Sequence, residues 1–170
     1  EDNLVDAKVS TGKSDIFIVT KEGMSIRFDE SDVRGMGRTA RGVKGVTLGK
    51  DDKVIGMAII DKDSKETILI VTKNGYGKRT VMDEYRSQSR GGVGIITQKT
   101  TDKVGDVVSA RLVNDKQHLL VTTNNGQAIR MRCSDVSIIG RNTQGVRVMN
   151  LNEGEFVTSV AVIDEDEAEE

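Results

Sequence analysis

Hydrophobic positions along the chain recur in three blocks of about fifty residues, and each block has the same order of elements. An apolar segment ends in a short turn that closes on glycine at 18–23 (IVTKEG), at 70–75 (IVTKNG) and, more loosely, at 121–126 (VTTNNG). Asn-Gly between apolar segments favours a β-hairpin, because such a turn needs positive φ angles. We therefore expect function to lie on a surface that is presented once per repeat.

After the turn, each repeat continues with a strand in which apolar and polar residues alternate, as in 24–28 (MSIRF) and 128–132 (AIRMR). Such alternation predicts a half-buried strand. A stretch rich in glycine and arginine, a short apolar run and a closing strand follow. The first strands are predicted at 16–19, 68–71 and 119–121, the glycine-rich stretches at 34–45, 86–94 and 137–147, the short runs at 46–48, 94–97 and 146–151, and the closing strands at 54–60, 107–113 and 157–163.

About four strands per repeat predict an all-β fold, a propeller-like array of four-stranded blades. The repeats span about 16–60, 68–113 and 119–163. Residues 2–9 match only the closing strand of a repeat, so we expect an orphan strand there. The chain is therefore predicted to be a partial array of about three blades plus one strand, and part of a longer protein.

Charge is divided unevenly between a basic body and an acidic end. The chain contains 25 lysines and arginines and 27 acids, and six of these acids fall within residues 164–170. We expect this acidic tail to be disordered, and it is either a solubilising terminus or a competitor of a polyanionic ligand for the basic body. Cys133 is the only cysteine, which favours a reducing cytosol, and no apolar run is long enough to cross a membrane.

When the repeats are aligned on their turn glycines, arginine occurs at two positions in every repeat, and we call each set an arginine column. The first comprises Arg27, Arg79 and Arg130, and the second comprises Arg38, Arg90 and Arg141. For the first column, structural ion pairs and a ligand-binding role are about equally favoured, and the candidate acidic partners are Asp32, Glu84 and Asp135. The second column lies among glycines, where a packing role is less natural, so it favours a regularly spaced cationic track.

The expected ligand of this track is the backbone of duplex nucleic acid. Glycines beside the cations let the main chain approach a polyanion closely. Aromatic residues make up only 3% of the chain, which leaves no platform for stacking the bases of a single strand. Binding would then depend on charge and on how easily the duplex bends.

Patterns that point to enzymatic chemistry are weak. Residues 7–14 (AKVSTGKS) resemble a phosphate-binding loop but lack its first glycine and the helix that should follow. Residues 35–40 (GMGRTA) fit a dinucleotide-binding pattern without its βαβ context. His118 and Cys133 each stand alone, so neither a metal site nor a catalytic constellation is predicted. We expect no enzyme activity, cofactor or metal in this chain.

Three motifs resemble one family in particular. Residues 74–80 (NGYGKRT), 33–37 (VRGMG) and 138–146 (IIGRNTQGV) are similar to the C-terminal domain of bacterial DNA gyrase A, with the corresponding domain of topoisomerase IV being a close alternative. The resemblance implies a β-pinwheel whose blades exchange strands and whose basic perimeter wraps duplex DNA. It also implies a bacterial cytoplasmic, nucleoid-associated location, and partners in gyrase B and the rest of gyrase A. ATP and Mg²⁺ would be used elsewhere in that supercoiling enzyme.

Carried onto this sequence residue by residue, the resemblance places the DNA-binding perimeter at Arg34, Arg38, Arg41, Lys44, Lys78, Arg79, Arg86, Arg90, Arg130, Arg132, Arg141 and Arg147. The chain departs from the family in the gyrase signature box, Gln-Arg-Arg-Gly-Gly-Lys/Arg-Gly. The nearest match is 88–94 (QSRGGVG), in which Ser89 and Val93 replace two cations. We therefore expect weak DNA binding and no supercoiling by this chain alone.

Two further expectations concern partners. A propeller-like module for protein interaction, with the arginines as solvated loop charges, is the alternative to a DNA-binding module. A partial array also leaves blade edges exposed, and exposed edges favour edge-to-edge pairing. Self-association is therefore expected, with two copies completing a disc.

Overall fold

The computed structural model describes residues 3–164, which form β-strands joined by turns and long loops. The strands are β1 (Asp15–Thr20), β2 (Met24–Asp29), β3 (Val54–Ile60), β4 (Thr67–Thr72), β5 (Tyr76–Val81), β6 (Ile95–Ile96), β7 (Val107–Val113), β8 (His118–Thr123), β9 (Ala128–Arg132), β10 (Val146–Arg147) and β11 (Val157–Ile163). The described helical segments are 3-10 turns of three residues at Glu30–Asp32, Met82–Glu84 and Cys133–Asp135. None of these turns is long enough to cross a membrane.

The hairpins form where the turn glycines predict them. Gly23, Gly75 and Gly126 have φ angles of 84°, 77° and 80°. This left-handed region is accessible to glycine without the Cβ clash that other residues suffer. The glycines therefore determine where β1 turns into β2, β4 into β5 and β8 into β9.

Each repeat after the first contributes its short third strand to the sheet of the preceding repeat. The first sheet has the order β3-β1-β2-β6, and β6 belongs to the second repeat. The second sheet has the order β10-β5-β4-β7, and β10 belongs to the third repeat. The third sheet is the three-stranded β11-β8-β9. Each sheet with its turns is called a blade below, and the all-β array of propeller-like blades is confirmed.

The hydrophobic core lies between successive blades. Phe17 and Val19 of the first blade pack against Ile68, Ile70 and Tyr85 of the second. The rings of Phe17 and Tyr85 meet edge to face with centroids 4.8 Å apart. A second cluster, with Leu69, Val71, Leu119, Val121 and Val157 among its members, joins the second blade to the third in the same way. Valine, isoleucine and leucine dominate both interfaces.

The closing strands β3, β7 and β11 lie side by side at one edge of the array. β7 contacts both β3 and β11, and the three strands line an open cavity of about 530 Å³ together with Lys8 and Val9. This cavity marks the axis around which the blades are arranged. The exchanged strands β6 and β10 lie at the opposite, outer edge of their sheets.

Two predicted strands are absent from the described residues. Residues 3–9 form no strand, and Leu4 and Val9 are 86% and 95% exposed, because no described strand pairs with them. The prediction of an orphan strand at 2–9 is therefore wrong over this range. Residues 46–48 also form no strand, and Val46 packs against Ile26 and Phe28 of its own blade. The predicted acidic tail lies outside the described residues, apart from Asp164.

Candidate nucleic-acid interface

The loop between the second strand and the closing strand of each repeat runs along the outer edge of the blades. We call these segments, 30–53, 82–106 and 133–156, the rim loops. Eight predicted cations on the rim loops and the adjoining outer strand β9 are exposed or half-buried: Arg34, Arg38, Arg41, Lys44, Arg86, Arg130, Arg132 and Arg147. They come from all three repeats, so positive charge recurs from blade to blade around the outer edge.

The first rim loop has the most open cationic surface. Arg34, Arg38, Arg41 and Lys44 all lie on it and are exposed. A Cβ added at Gly35, Gly37 or Gly42 would meet nothing within 4 Å. A ligand can therefore reach both the side chains and the main chain of this segment.

The second arginine column has a structural role as well as a place on the rim. Arg90 is half-buried, and its Nε donates to the carbonyl oxygen of Asp32 at 3.0 Å, while Nη1 donates to that of Lys44. Arg90 thereby fastens the second rim loop to the first. Each hydrogen bond leaves other guanidinium nitrogens available, because arginine has five N–H donors.

Arg141 repeats this arrangement one blade further on. Its Nη1 donates to the carbonyl oxygen of Ile96 at 2.8 Å, and its backbone N–H donates to the carboxylate of Glu84 at 2.8 Å. The third rim loop is thus tied to the second. Arg38 occupies the same column in the first repeat and is exposed.

Lys78 is not on the perimeter, which corrects its predicted contact with DNA. Its residue is 0% exposed. Its Nζ donates to the carbonyl oxygens of Gly140 at 3.0 Å, of Thr143 at 3.1 Å and of Arg141, and to the Thr143 hydroxyl at 3.0 Å. The buried ammonium group therefore stabilises the third rim loop by hydrogen bonds from the protein interior.

Burial lowers the pKa of Lys78 to about 8, with a further lowering by the nearby charge of Arg141 and an opposing effect of Glu84. This pKa is still high enough for the side chain to be mostly protonated at neutral pH. The charged form supplies three donors, and oxygen atoms of the loop surround it. The electrostatics thus suit a structural cation.

Arg79 is also buried, at 4% exposure, and the prediction that it contacts DNA is likewise wrong. Its Nε donates to the carbonyl oxygen of Val136 at 2.9 Å, and its Nη1 pairs with Asp115 at 2.5 Å. Val136 and Asp115 lie beyond β7, in the part of the chain that leads into and forms the third repeat. Arg79 therefore holds two repeats together.

The rest of the first column behaves similarly. Arg27 pairs with Asp15 at 2.7 Å and donates to the carbonyl oxygens of Met82 and Tyr85 in the next repeat, each at 3.1 Å. Arg130 donates to Nδ1 of His118 at 3.2 Å. For Arg27 and Arg79 the structural interpretation is correct, but the acidic partners are Asp15 and Asp115. Side chains of the predicted partners Asp32, Glu84 and Asp135 make neither of these ion pairs.

One signal in the sequence could have identified Lys78 as buried. When the repeats are aligned on their turn glycines, its column is shared by Ile26 and Ile129. Both are apolar, and Ile26 is fully buried. A single lysine in an otherwise apolar column indicates a buried cation with compensating acceptors.

Sequence reasoning also missed Lys103 as a surface cation beside Arg147. The ring of Tyr76 lies between them, 5.6 Å from Lys103 Nζ and 5.4 Å from the Arg147 guanidinium carbon. Arg147 also donates to the Tyr76 hydroxyl at 3.0 Å, and this hydrogen bond lowers the pKa of Tyr76. Both cations are exposed, whereas the tyrosine is 8% exposed and is not available for stacking.

In chemical terms the rim offers cations and main-chain groups. Among residues 3–164 no three His, Cys, Asp or Glu side chains lie close enough together to hold a metal ion. Exposed guanidinium and ammonium groups at intervals along an edge match the charges of a polyanion. The described geometry thus fits sequence-independent contact with phosphates.

Comparison with known proteins connects this geometry to one family. A family model described as DNA gyrase C-terminal domain, beta-propeller, matches residues 14–61, 66–114 and 117–164. DNA gyrase A of Staphylococcus epidermidis (strain ATCC 12228 / FDA PCI 1200) is 44% identical over 98% of this chain. DNA gyrase A of Staphylococcus aureus (strain MRSA252) is 43% identical over 100% of it. The chain spans only 19% of the length of either relative.

Two solved structures with the same fold are about twice as long as this chain. The structure of a DNA gyrase A C-terminal domain superposes with a TM-score of 0.80 and 29% identity, over 89% of this chain and 51% of that one. The C-terminal domain of a DNA topoisomerase IV superposes with a TM-score of 0.89 over 96% of this chain and 50% of that one. At 24% identity, the second likeness concerns the fold alone.

Proposed function

Because the chain belongs to the family of DNA gyrase C-terminal domains, we propose that it is a non-catalytic module that binds duplex DNA and bends it around the rim of its blades. The observation that carries this proposal is the recurrence of exposed cations on the outer edge of three consecutive blades. A duplex that follows this edge meets positive charge at each blade. Contacts spread along an arc favour a bent duplex over a straight one.

The proposed contacts are to phosphates. Ten of the predicted cations remain in the site once the buried pair Lys78 and Arg79 is set aside, namely Arg34, Arg38, Arg41, Lys44, Arg86, Arg90, Arg130, Arg132, Arg141 and Arg147. The side chains of aromatic residues give no exposed row on which bases would stack, since Phe17, Phe28, Tyr76 and Tyr85 are buried. Affinity should therefore depend steeply on salt and little on base sequence.

The parent enzyme is part of the proposal. We propose that this module works in a bacterial, cytoplasmic gyrase, together with the rest of gyrase A and with gyrase B. ATP hydrolysis and the Mg²⁺ chemistry would belong to those other parts. Negative supercoiling would then need the whole assembly, and this chain would only present the bent DNA.

The segment 88–94, which matches the gyrase signature box best in sequence, is consistent with a modest affinity for duplex DNA. Val93 stands where the box has a cation and is 63% exposed, so it offers an apolar side chain to the solvent. Arg90 of the same segment uses two of its donors to hold the first rim loop. We expect this segment to contribute less to DNA binding than the four cations of the first rim loop.

The proposal is tested by titrating a random-sequence duplex at several salt concentrations. Replacing Arg34, Arg38, Arg41 and Lys44 together by glutamine should reduce the slope of log K against log salt by about 3 to 4, because each phosphate contact contributes about 0.9. A matched control replaces four lysines outside the rim loops, namely Lys8, Lys13, Lys65 and Lys116, by glutamine. This control should change the slope by less than about 1.

Two results would contradict the proposal. One is the absence of duplex binding by the unaltered chain at about 50 mM salt, where phosphate contacts are strong. The other is an equal fall in slope for the rim variant and for the control, because binding would then depend on net charge without a defined surface. Circular dichroism checks that both variants keep the β fold.

A second prediction concerns the acidic tail. Deleting residues 165–170 removes five negative charges and should tighten duplex binding several-fold at low salt, since the chain then repels phosphates less. The control replaces the same acids by glutamine, which keeps the length. Fluorescence anisotropy with a labelled duplex measures both. Unchanged affinity in both variants would remove the tail from the account of binding.

A further inference from the structure

The buried arginine of the second blade lacks the buried counter-ion that the first blade has. In the first blade, Arg27 pairs at 2.7 Å with Asp15, whose side chain is only 7% exposed. When the repeats are aligned on their turn glycines, Thr67 takes the position of Asp15 in the second repeat. Arg79 pairs instead with Asp115, whose side chain is 73% exposed. A buried charge needs an opposite charge beside it, and the second blade takes that charge from the surface.

Part of the Arg79 guanidinium group remains available for a further acceptor. Its Nε donates to the carbonyl oxygen of Val136, and its Nη1 donates to the carboxylate of Asp115. Its Nη2 donates to none of residues 3–164. An arginine can bind a carboxylate through two parallel N–H groups, so an anion can pair with Nη1 and Nη2 together once Asp115 moves aside.

The Asp115 side chain can leave this pair without opening the turn on which it lies. In the turn between β7 and β8, the backbone N–H of Asn114 donates to the Gln117 side chain, and that of Lys116 donates to the Asn114 side chain, each at 3.0 Å. The Asp115 carboxylate takes part in neither hydrogen bond. An incoming carboxylate therefore competes with a single exposed acid.

Arg79 and Asp115 line a cavity of about 550 Å³ at the end of the second blade where β4 begins and β5 ends. Its apolar lining comes from Val81 and Val113 and from Ile138 of the third rim loop. Val81 and Ile138 are 40% and 49% exposed, so a ligand can reach them. Small-molecule sites are typically concave, roughly 300 to 1,000 Å³ in volume, with apolar walls and a few polar groups. The cavity has this size and this composition.

The apolar walls are particular to this junction of blades. In the aligned repeats, Asp29 takes the position of Val81 in the first blade, and Ser87 takes the position of Ile138 in the second rim loop. The junction between the first and second blades therefore carries polar residues at both positions. Of the two junctions that the structure describes, only that between the second and third blades combines an apolar wall with an arginine paired to a surface acid.

We propose that this cavity binds a small molecule in which a carboxylate is attached to an apolar body. The carboxylate pairs with Arg79 and displaces Asp115, so that the buried guanidinium group keeps a counter-charge throughout. The apolar body packs against Val81 and Ile138 and removes them from water. The ligand thus contacts residues on both sides of the junction between the second and third blades.

The charges around the cavity also favour an anion. Three cations line it, namely Lys65, Arg79 and Lys116, against two acids, Glu66 and Asp115. Displacing Asp115 from the pair increases the excess of positive charge at the ligand. The apolar walls have no donors for the phosphates of a duplex, so this site differs in chemistry from the rim. The inference does not depend on the proposed binding of DNA.

Titration of the unaltered, isotope-labelled chain with naphthoate tests the proposal by NMR. We expect the amide signals of Thr67, Val81, Asp115 and Ile138 to shift and to saturate at a ligand concentration on the order of 1 mM. Naphthamide, which has the same rings and no charge, should bind about tenfold more weakly, because a neutral amide forms no ion pair with Arg79. Equal binding of the two compounds, shifts confined to other parts of the chain, or no binding of naphthoate would overturn the proposal.

Variants with opposite expected effects locate the carboxylate and the apolar body. Asp115→Asn should tighten naphthoate binding several-fold, because it removes the competing acid, whereas Ile138→Glu should weaken it about tenfold by placing a charge in the apolar wall. Asp102→Asn is the matched control, since it makes the same change of charge at an exposed residue beside the hairpin turn, at the other end of the second blade. Equal tightening in both asparagine variants, or full affinity in Ile138→Glu, would contradict the assigned site.

A short peptide that ends in a free leucine carboxylate is titrated in the same way. Saturating shifts with the peptide but not with naphthoate would identify a protein segment as the ligand and overturn the small-molecule proposal. None of these titrations contains DNA, so they succeed or fail independently of the rim. If an altered chain does not fold, the comparison of naphthoate with naphthamide on the unaltered chain decides.

Discussion

Replacing Gly94 by alanine should lower the free energy of unfolding by about 3 kcal/mol or more, whereas alanine at Gly42 should cost only about 1 to 2 kcal/mol. Both glycines have nearly the same positive φ angle, so both substitutions carry the same backbone strain. Only at Gly94 would the new Cβ lie 2.2 Å from a main-chain oxygen of the preceding blade. The difference in unfolding free energy between the two variants measures the cost of disturbing the close approach that strand exchange requires.

Urea denaturation followed by circular dichroism measures this difference. An equal loss of stability in the two variants would mean that the second repeat does not depend on inserting β6 beside β2. A Gly94 variant that fails to fold is instead the extreme form of the expected result, provided that the Gly42 variant folds.

Replacing Lys78 by methionine should cost about 3 kcal/mol of unfolding free energy. The substitution keeps much of the side-chain length but leaves the carbonyl oxygens of Gly140, Arg141 and Thr143 without their donor. Buried acceptors that lose a charged partner are costly, at about 1 to 3 kcal/mol for each group that water does not reach. Lys65→Met, on an exposed residue, should change stability by no more than about 0.5 kcal/mol.

Hydrogen exchange separates this effect from a general loss of stability. The backbone N–H of Lys99 donates to the carbonyl oxygen of Thr143 at 2.9 Å, so it reports on the third rim loop. Relative to the unaltered chain, Lys78→Met should accelerate exchange at Lys99 more than exchange of the amides in β4, which lie in the buried centre of the array. A stability loss below about 1 kcal/mol, with unchanged exchange at Lys99, would contradict the role of Lys78 as a structural cation.

Hairpins and blades were predictable from the sequence because their signals are local. Glycine in a turn between two apolar runs predicts β4 and β5, and the observed β4 extends the predicted 68–71 by one residue at each end. The family assignment was also predictable, since the motifs that carry it are continuous in sequence, and the family match over three segments confirms it. The fold class followed from the same repeats.

The roles of the repeated cations were less predictable. A column of arginines at fixed spacing arises both when the side chains bind the neighbouring blade and when they face a ligand. Arg27 and Arg79 do the former, and Arg90 and Arg141 donate to neighbouring loops from half-buried positions. Each of the four donates to a main-chain carbonyl of another repeat. Alignment of the repeats alone therefore could not separate structural from exposed cations.

The sequence by itself determined the repeat, the turn positions, the all-β blades and the basic body, because each depends on residues close together in the chain. Only the tertiary structure decided which cations reach the rim, since burial of Lys78 and exposure of Arg38 depend on the blade that lies beside each. It also decided that residues 3–9 form no strand and that residues 42–44, at the positions equivalent to β6 and β10, form none either. A segment forms a strand only where another strand lies beside it to share hydrogen bonds, and the three-dimensional arrangement of the blades decides where that is the case.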